Sequence, residues 1–224
     1  RPEEFAHFGV PRGERGRRFE EGLRLLLRAW AGEAGPYGGR CFQGEALPVV
    51  PRPVQQPRPP IWVGGWAEAA LRRAAELGDA WLPGPTGDLT TVARAFERYA
   101  RFVEAAGGRV EARERPLMRE LFVATDHQSR EEAEAALARM YRERYVQWGL
   151  GTVQAAGAEV AALGRDRFIV GGPDEVLREI ERYRGAVGVT HLMCRMHFPG
   201  LRPEAVQASM RLFAGQLLPE LRRG

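Results

Sequence analysis

Apolar and polar positions along the chain recur with two different periods, and the changes of period mark the elements. Ile61, Trp62 and Val63 are a short apolar run of β-prone residues that two glycines stop. Leu71, Ala74, Ala75 and Gly78 then recur at helical spacing, with Glu68, Arg72, Arg73 and Glu76 mostly outside that stripe. Gly78-Asp79 ends the helix, and Ala80-Trp81-Leu82 opens a second apolar run. Strand, glycine turn, helix and strand within 59–83 predict a parallel βαβ unit with a right-handed crossover.

The same reading extends over the rest of the chain. A polar lead-in with Phe5 and Phe8 as anchors precedes a helix over about 13–31, whose stripe of Phe19, Leu23, Leu26, Leu27 and Trp30 should pack on a sheet. Residues 40–58 carry Pro48, Pro51, Pro53 and Pro57, which excludes a helix or a central strand. They predict a short edge hairpin followed by an extended crossing segment. Thr86 or Asp88 caps a helix to about Ala106, with Leu89, Val92, Phe96, Tyr99 and Val103 inward. A third strand runs over 117–125. Ser129, boxed by Glu132, then caps a helix from 130 to about 147, and periodicity is weak over 148–166.

Arg167 to Gly172 is a short apolar run into another glycine turn, and Pro173 opens a helix to about Arg184. His191 to Phe198 is the last strand. Pro203 begins a final helix that buries Val206, Met210, Leu212, Phe213 and Leu217. Strands at 60–64, 79–83, 118–125 and 190–197 separated by helices predict an α/β fold on a parallel sheet, read as a single domain over 1–224.

Composition narrows the classes of function. The sequence pI near 9.6 suggests nucleic acid, yet the formal net charge is only +4. Lys and Asn are absent, so every strong base is Arg, and a GC-rich codon bias accounts for the excess of Arg, Ala, Gly and Pro. The arginines alternate with glutamates along the helices, as in Arg130-Glu131-Glu132-Ala133-Glu134, which is the pattern of a solvated face and not of a nucleic-acid surface. No stretch reads as a membrane span or a leader, so no membrane contact is expected and the cytoplasm is the default. Cys41 and Cys194 are too few for a disulfide framework, and His7, His127, His191 and His197 form no metal-binding pattern, so no metal is expected. The chain opens on Arg1 in what reads as a loop, so either it is processed or an N-terminal part precedes it.

Two places could carry chemistry. Gly64 and Gly65 allow positive φ and close approach to the backbone, and the first amides of the following helix have no internal partners and lie at the positive end of its dipole. That combination makes a phosphate seat, although paired glycines also serve simply as a tight βα turn. Neither GxGxxG nor GxxxxGK[ST] is present. In the last strand, alternation puts Leu192, Cys194, Met196 and Phe198 on one face and His191, Met193, Arg195 and His197 on the other. The apolar face should meet helices and the polar face should point inward, with Arg195 and His197 as weak catalytic candidates, the Arg suited to an anionic substrate. The other reading pairs Arg195 with a carboxylate such as Glu120 and leaves His197 an exposed loop residue.

Several of these stretches together resemble a known family. Arg1-Pro2-Glu3-Glu4-Phe5-Ala6-His7-Phe8-Gly9-Val10-Pro11, Glu14 to Glu21 and Leu25 to Trp30 open the match. Pro53-Val54-Gln55, Pro57 to Gly65 and Arg73 to Asp79 continue it, and Phe168 to Val176 and Phe198-Pro199-Gly200 close it in the same order. The chain is similar to the bacterial luciferase-like monooxygenases. The resemblance implies a (β/α)8 TIM barrel of which about four parallel strands are present and the N-terminal strands lie before Arg1. It implies a flavin-dependent monooxygenase that uses reduced FMN to insert one oxygen atom from O2 into a small organic substrate, with the reduced flavin supplied by a reductase. The alternatives are a deazaflavin-dependent hydride-transfer oxidoreductase and a non-catalytic flavin-binding protein on the same scaffold. The family's phosphate contacts fall on Gly64, Gly65, Trp66 and Ala67, with Ala70 one turn on. Where members often place a hydroxyl, this chain has Trp66, Ala67, Ala69 and Ala70, so backbone amides alone would hold the phosphate. Half a barrel leaves sheet edges bare, so a homo-oligomer or roughly a hundred preceding residues are expected to cover them. The substrate itself is not legible.

Overall fold

The computed structural model describes residues 2–46, 49–146, 164 and 166–223. Helix α1 (Pro2–His7) leads into α2 (Arg15–Ala31), and an antiparallel hairpin of β1 (Gly35–Gly38) and β2 (Gln43–Ala46) follows. β3 (Trp62–Gly64), α3 (Glu68–Leu77) and β4 (Ala80–Leu82) form the βαβ unit, with Trp62 opposite Ala80 and Gly64 opposite Leu82 in a parallel ladder. Then come α4 (Leu89–Ala105), β5 (Pro116–Val123) and α5 (His127–Met140), which runs on into a π-helical segment over Tyr141–Val146. β6 (Phe168–Gly171), α6 (Pro173–Val187), β7 (His191–Arg195) and α7 (Pro203–Leu212) complete the alternation, with Phe213–Leu217 and the short α8 (Leu218–Leu221) at the end.

Every pairing outside the hairpin is parallel, as strands joined by crossover helices must be. β5 is the central strand. Its first half pairs with β7, from Pro116 opposite His191 to Glu120 opposite Arg195. Its second half pairs with β6, from Glu120 opposite Phe168 to Val123 opposite Gly171. β4 lies alongside β5 without a ladder, so the strands form two parallel sheets with no closed barrel among the described residues.

Alternation along these strands divides the core. Val63, Trp81, Leu117, Leu121 and Val123 join the buried faces of α3, α4 and α6 in one cluster, where the Trp81 ring meets Phe96 edge-on at 5.0 Å. On the opposite face of β5, Phe122 joins Ala133, Leu137, Met140, Tyr141, Phe198 and Val206 in a second cluster under α5 and α7. The Ile61 strand is set by Asp79. Its carboxylate accepts from Arg58 at 2.5 and 3.1 Å and from the Ile61 N–H at 2.6 Å, while the Asp79 N–H donates to the Ile61 carbonyl at 2.7 Å. Burial works against the charge of Asp79, but those donors outweigh it and hold the carboxyl below the usual aspartate range.

Several expectations change. The hairpin lies at 35–46, before most of the prolines, because Tyr37 and Gln43 fit a ladder that the proline run cannot. Asp126 caps α5 in place of Ser129, and Ser129 sits at the third helical position as the box partner expected of Glu132. The 168–171 run is a strand in its own right, and the last strand ends at Arg195 instead of Phe198. Phe8, Phe19, Leu26 and Met210 are exposed at 77%, 45%, 37% and 51%, so the anchor and stripe roles assigned to them fail among the described residues. The weak stretch at 148–166 lies almost wholly outside the described residues. No helix among them is long and apolar enough to cross a membrane, and no group of His, Cys, Asp or Glu is placed to hold a metal.

Candidate cofactor site

At the C-terminal end of β3 the backbone turns through Gly65, whose φ of 125° favours glycine. A Cβ built there would lie 2.7 Å from the Ala70 methyl, so the corner admits no side chain without displacement. Ala67 is the N-cap of α3 and supplies no side-chain cap, and the first helical bonds run from the Ala70 and Leu71 N–H groups to the Ala67 carbonyl. The N–H groups of Ala67, Glu68 and Ala69 donate to no backbone acceptor among the described residues. Gly64, Gly65, Ala67, Glu68 and Ala69 are all exposed. Glu68 places a carboxylate in this first turn, where it opposes an incoming anion, but it pairs with Arg72 at 3.5 Å.

Two tryptophans hold the corner. The Trp81 Nε1 donates to the Gly65 carbonyl at 2.7 Å, and Trp66 stands edge-on to Trp81 with ring centroids 5.4 Å apart. Trp66 rests on the loop after β4: a Cβ at Gly84 would meet its Nε1 at 3.4 Å, and one at Gly87 its Cη2 at 2.3 Å. The indoles therefore brace the turn, whose glycines and first helical residues stay exposed.

A second group of polar side chains is buried nearby. Glu120 on β5 is fully buried, and its two oxygens accept from Arg195 on β7, Nε to Oε2 at 2.6 Å and Nη2 to Oε1. The Nη2 of Arg195 also donates to the Tyr145 hydroxyl at 3.0 Å. The Tyr141 hydroxyl lies 3.2 Å from both Glu120 Oε1 and the Pro85 carbonyl, tying this cluster to the loop that carries Trp66. Burial, with the Glu120 charge second, pushes the Tyr141 phenol well above its ordinary range. The guanidinium of Arg195 loses hydration on burial, but its bonds to Glu120 outweigh that loss and raise its pKa.

The sequence-predicted residues therefore divide. Gly64, Gly65, Trp66, Ala67 and Ala70 come together at one corner. Leu192 and Cys194 face α6 beside Ile180 and Tyr183, where burial lifts the Cys194 thiol to about 11. On the opposite face Arg195 takes Glu120 as partner, and His191 stands edge-on to Trp62 at 5.3 Å. His197 lies beyond the strand and is exposed, and Phe198 joins the second core cluster instead of the helix-facing row. Tyr141, Tyr145 and the role of Asp79 were not anticipated. The register of β5 against β7 and the π-helical turn that delivers the two tyrosines carry no local signature.

Parallel strands joined by helices make this an α/β fold, and the bare N-terminus of α3 at the end of β3 is of the kind that can seat an anion. Residues 1–191 match the model of the luciferase-like monooxygenases, and the chain belongs to that family. Among solved structures it is similar to the monooxygenase RslO1 from Streptomyces bottropensis, with a TM-score of 0.78 and 26% identity over 98% of this chain and 66% of that one. The oxygenating constituent of 3,6-diketocamphane monooxygenase from Pseudomonas putida, solved with FMN, has a TM-score of 0.68 and 20% identity over 90% and 62% of the two chains. The coenzyme F420-dependent tetrahydromethanopterin reductase of Methanopyrus kandleri has a TM-score of 0.70 and 16% identity over 94% and 64%. An uncharacterized protein of Mycobacterium tuberculosis is 36% identical over 106 residues, which is 47% of this chain and 35% of the relative. The chain thus spans about a third of that relative and 66% of RslO1. One of these neighbours was solved with FMN, and another is named for its dependence on coenzyme F420.

Proposed function

We propose that the chain is the cofactor-binding portion of a flavin-dependent monooxygenase, with the phosphate of FMN seated on the amides of the Gly65 corner. The observation that carries this reading is the conjunction of positive φ at Gly65, an uncapped α3 and three unpaired amides at the end of a parallel strand. Gly64 and Gly65 leave room for the phosphate, Ala67 to Ala69 donate to it, and Trp66 and Trp81 fix the turn. Bound reduced FMN supplies the oxygen chemistry, and the protein supplies orientation and exclusion of water. Arg195 at the end of the last strand and His197 beyond it remain the candidates. Arg195 is held and oriented by Glu120, whereas His197 is offered at the surface.

In the working protein we place the unpaired edges of β3 and β7 against further strands of the same domain or a second copy, with reduced flavin delivered by a separate reductase. Intact mass and sedimentation of the natural protein test the first point. The test of function is retention: purified protein should carry or take up FMN, read by flavin fluorescence. The F420-dependent neighbour supports a deazaflavin as the second reading. Tighter binding of the deazaflavin than of FMN would favour it, and binding of neither would remove both.

A further inference from the structure

One of the two readings of the last strand has Arg195 attract an anionic group. The environment of Arg195 argues the opposite. Both oxygens of the fully buried Glu120 accept from it, so carboxylate and guanidinium form one fork-like ion pair of zero net charge. Nε and Nη2 are spent on Glu120 and Tyr145, whereas Nη1 donates to nothing among the described residues. The side chain keeps 35% of its surface exposed although its partner has none. What the pair presents is therefore a planar N–H donor edge, rigidly held and electrically balanced.

We infer that the Arg195–Glu120 pair is a specificity element that binds an uncharged acceptor, a carbonyl oxygen of the ligand, and selects against carboxylate, sulfonate and phosphate at that position. An anion placed there would surrender hydration to a pair that offers no net positive charge, and it would approach a buried carboxylate. A neutral carbonyl loses far less hydration and gains the same donor. The inference rests on the proposed function only for the direction from which the ligand comes.

Benzamide and benzoate differ in charge and hardly in shape, so their affinities for the protein, read by ligand-observed NMR titration, form the test. Benzamide should bind about tenfold or more tightly than benzoate, a difference of about 1.4 kcal/mol. Glu120→Gln leaves Arg195 uncompensated and should reverse the preference. Because that variant buries a lone cation, the double variant Glu120→Gln/Arg195→Met is paired with it. It removes both charges together and should lose benzamide binding. Benzoate bound as well as benzamide, benzamide binding that survives the double variant, or no binding of either probe would overturn the inference. FMN retention through Gly65 is read separately, so a protein that keeps FMN yet prefers benzoate refutes the donor edge alone.

Discussion

The glycine corner and the Glu120–Arg195 pair belong to the same parallel fold and are built by opposite means. At Gly64 to Ala67 side chains are withheld: the corner works because nothing caps α3 and no Cβ fills Gly65. At Glu120 side chains dominate: Arg195 and Tyr141 donate to one buried carboxylate, and they donate further to the Tyr145 hydroxyl and the Pro85 carbonyl. The first suits a charged group because its donors find no backbone acceptor among the described residues and lie on exposed residues. The second has consumed most of its charge internally, so it orients and discriminates. A bare backbone suits an anion, and a balanced pair suits a neutral acceptor.

The largest effect that would break this contrast comes from the buried pair. Glu120→Ala leaves Arg195 and the Tyr141 hydroxyl without their partner and should destabilise the fold by about 3–5 kcal/mol. Thermal unfolding reads it, and a change below about 1 kcal/mol would mean the pair is not desolvated as described. Gly65→Val forces a side chain onto a positive φ and against Ala70, and should weaken FMN binding at least tenfold while costing about 1–3 kcal/mol of stability. Unchanged FMN affinity in a folded variant would remove the seat.

Asp79→Asn should cost about 1–2 kcal/mol, because the carboxylate is partly solvated and its ion pair with Arg58 is screened. The pH dependence follows from the depressed carboxyl of Asp79. Its contribution is fully present above the unfolded aspartate value of about 3.9 and is lost as pH falls through the lower folded value, so wild type and Asp79→Asn should converge in stability in strong acid. A gap that persists there would assign the effect to packing. Tyr141→Phe is the mildest change, about 1 kcal/mol, since Glu120 keeps Arg195.

How much of this was legible followed the same division. The βαβ unit, the cap at Asp88, the helix start at Pro173 and the glycine corner are local in sequence, so period and turn chemistry reach them. Face assignment on the last strand was also legible for Leu192, Cys194 and Arg195, because alternation holds while the ladder lasts. It failed at His197 and Phe198, where the ladder has ended. The choice of Glu120 as partner for Arg195 was open, because it depends on the register of β5 against β7, and the two residues are 75 apart in sequence. Asp79 was read as a helix stop when it also clamps the segment at Ile61, and nothing in a Gly-Asp pair signals a carboxylate that accepts from Arg58.

The central claim is that the amides after Gly65 hold a phosphate. The most direct measurement compares FMN with riboflavin, which differs only in lacking that group. We expect FMN to bind at least tenfold more tightly, with the amide signals of Ala67, Glu68 and Ala69 shifting for FMN and not for riboflavin. Equal affinity for the two flavins, with those amides unmoved, would contradict it.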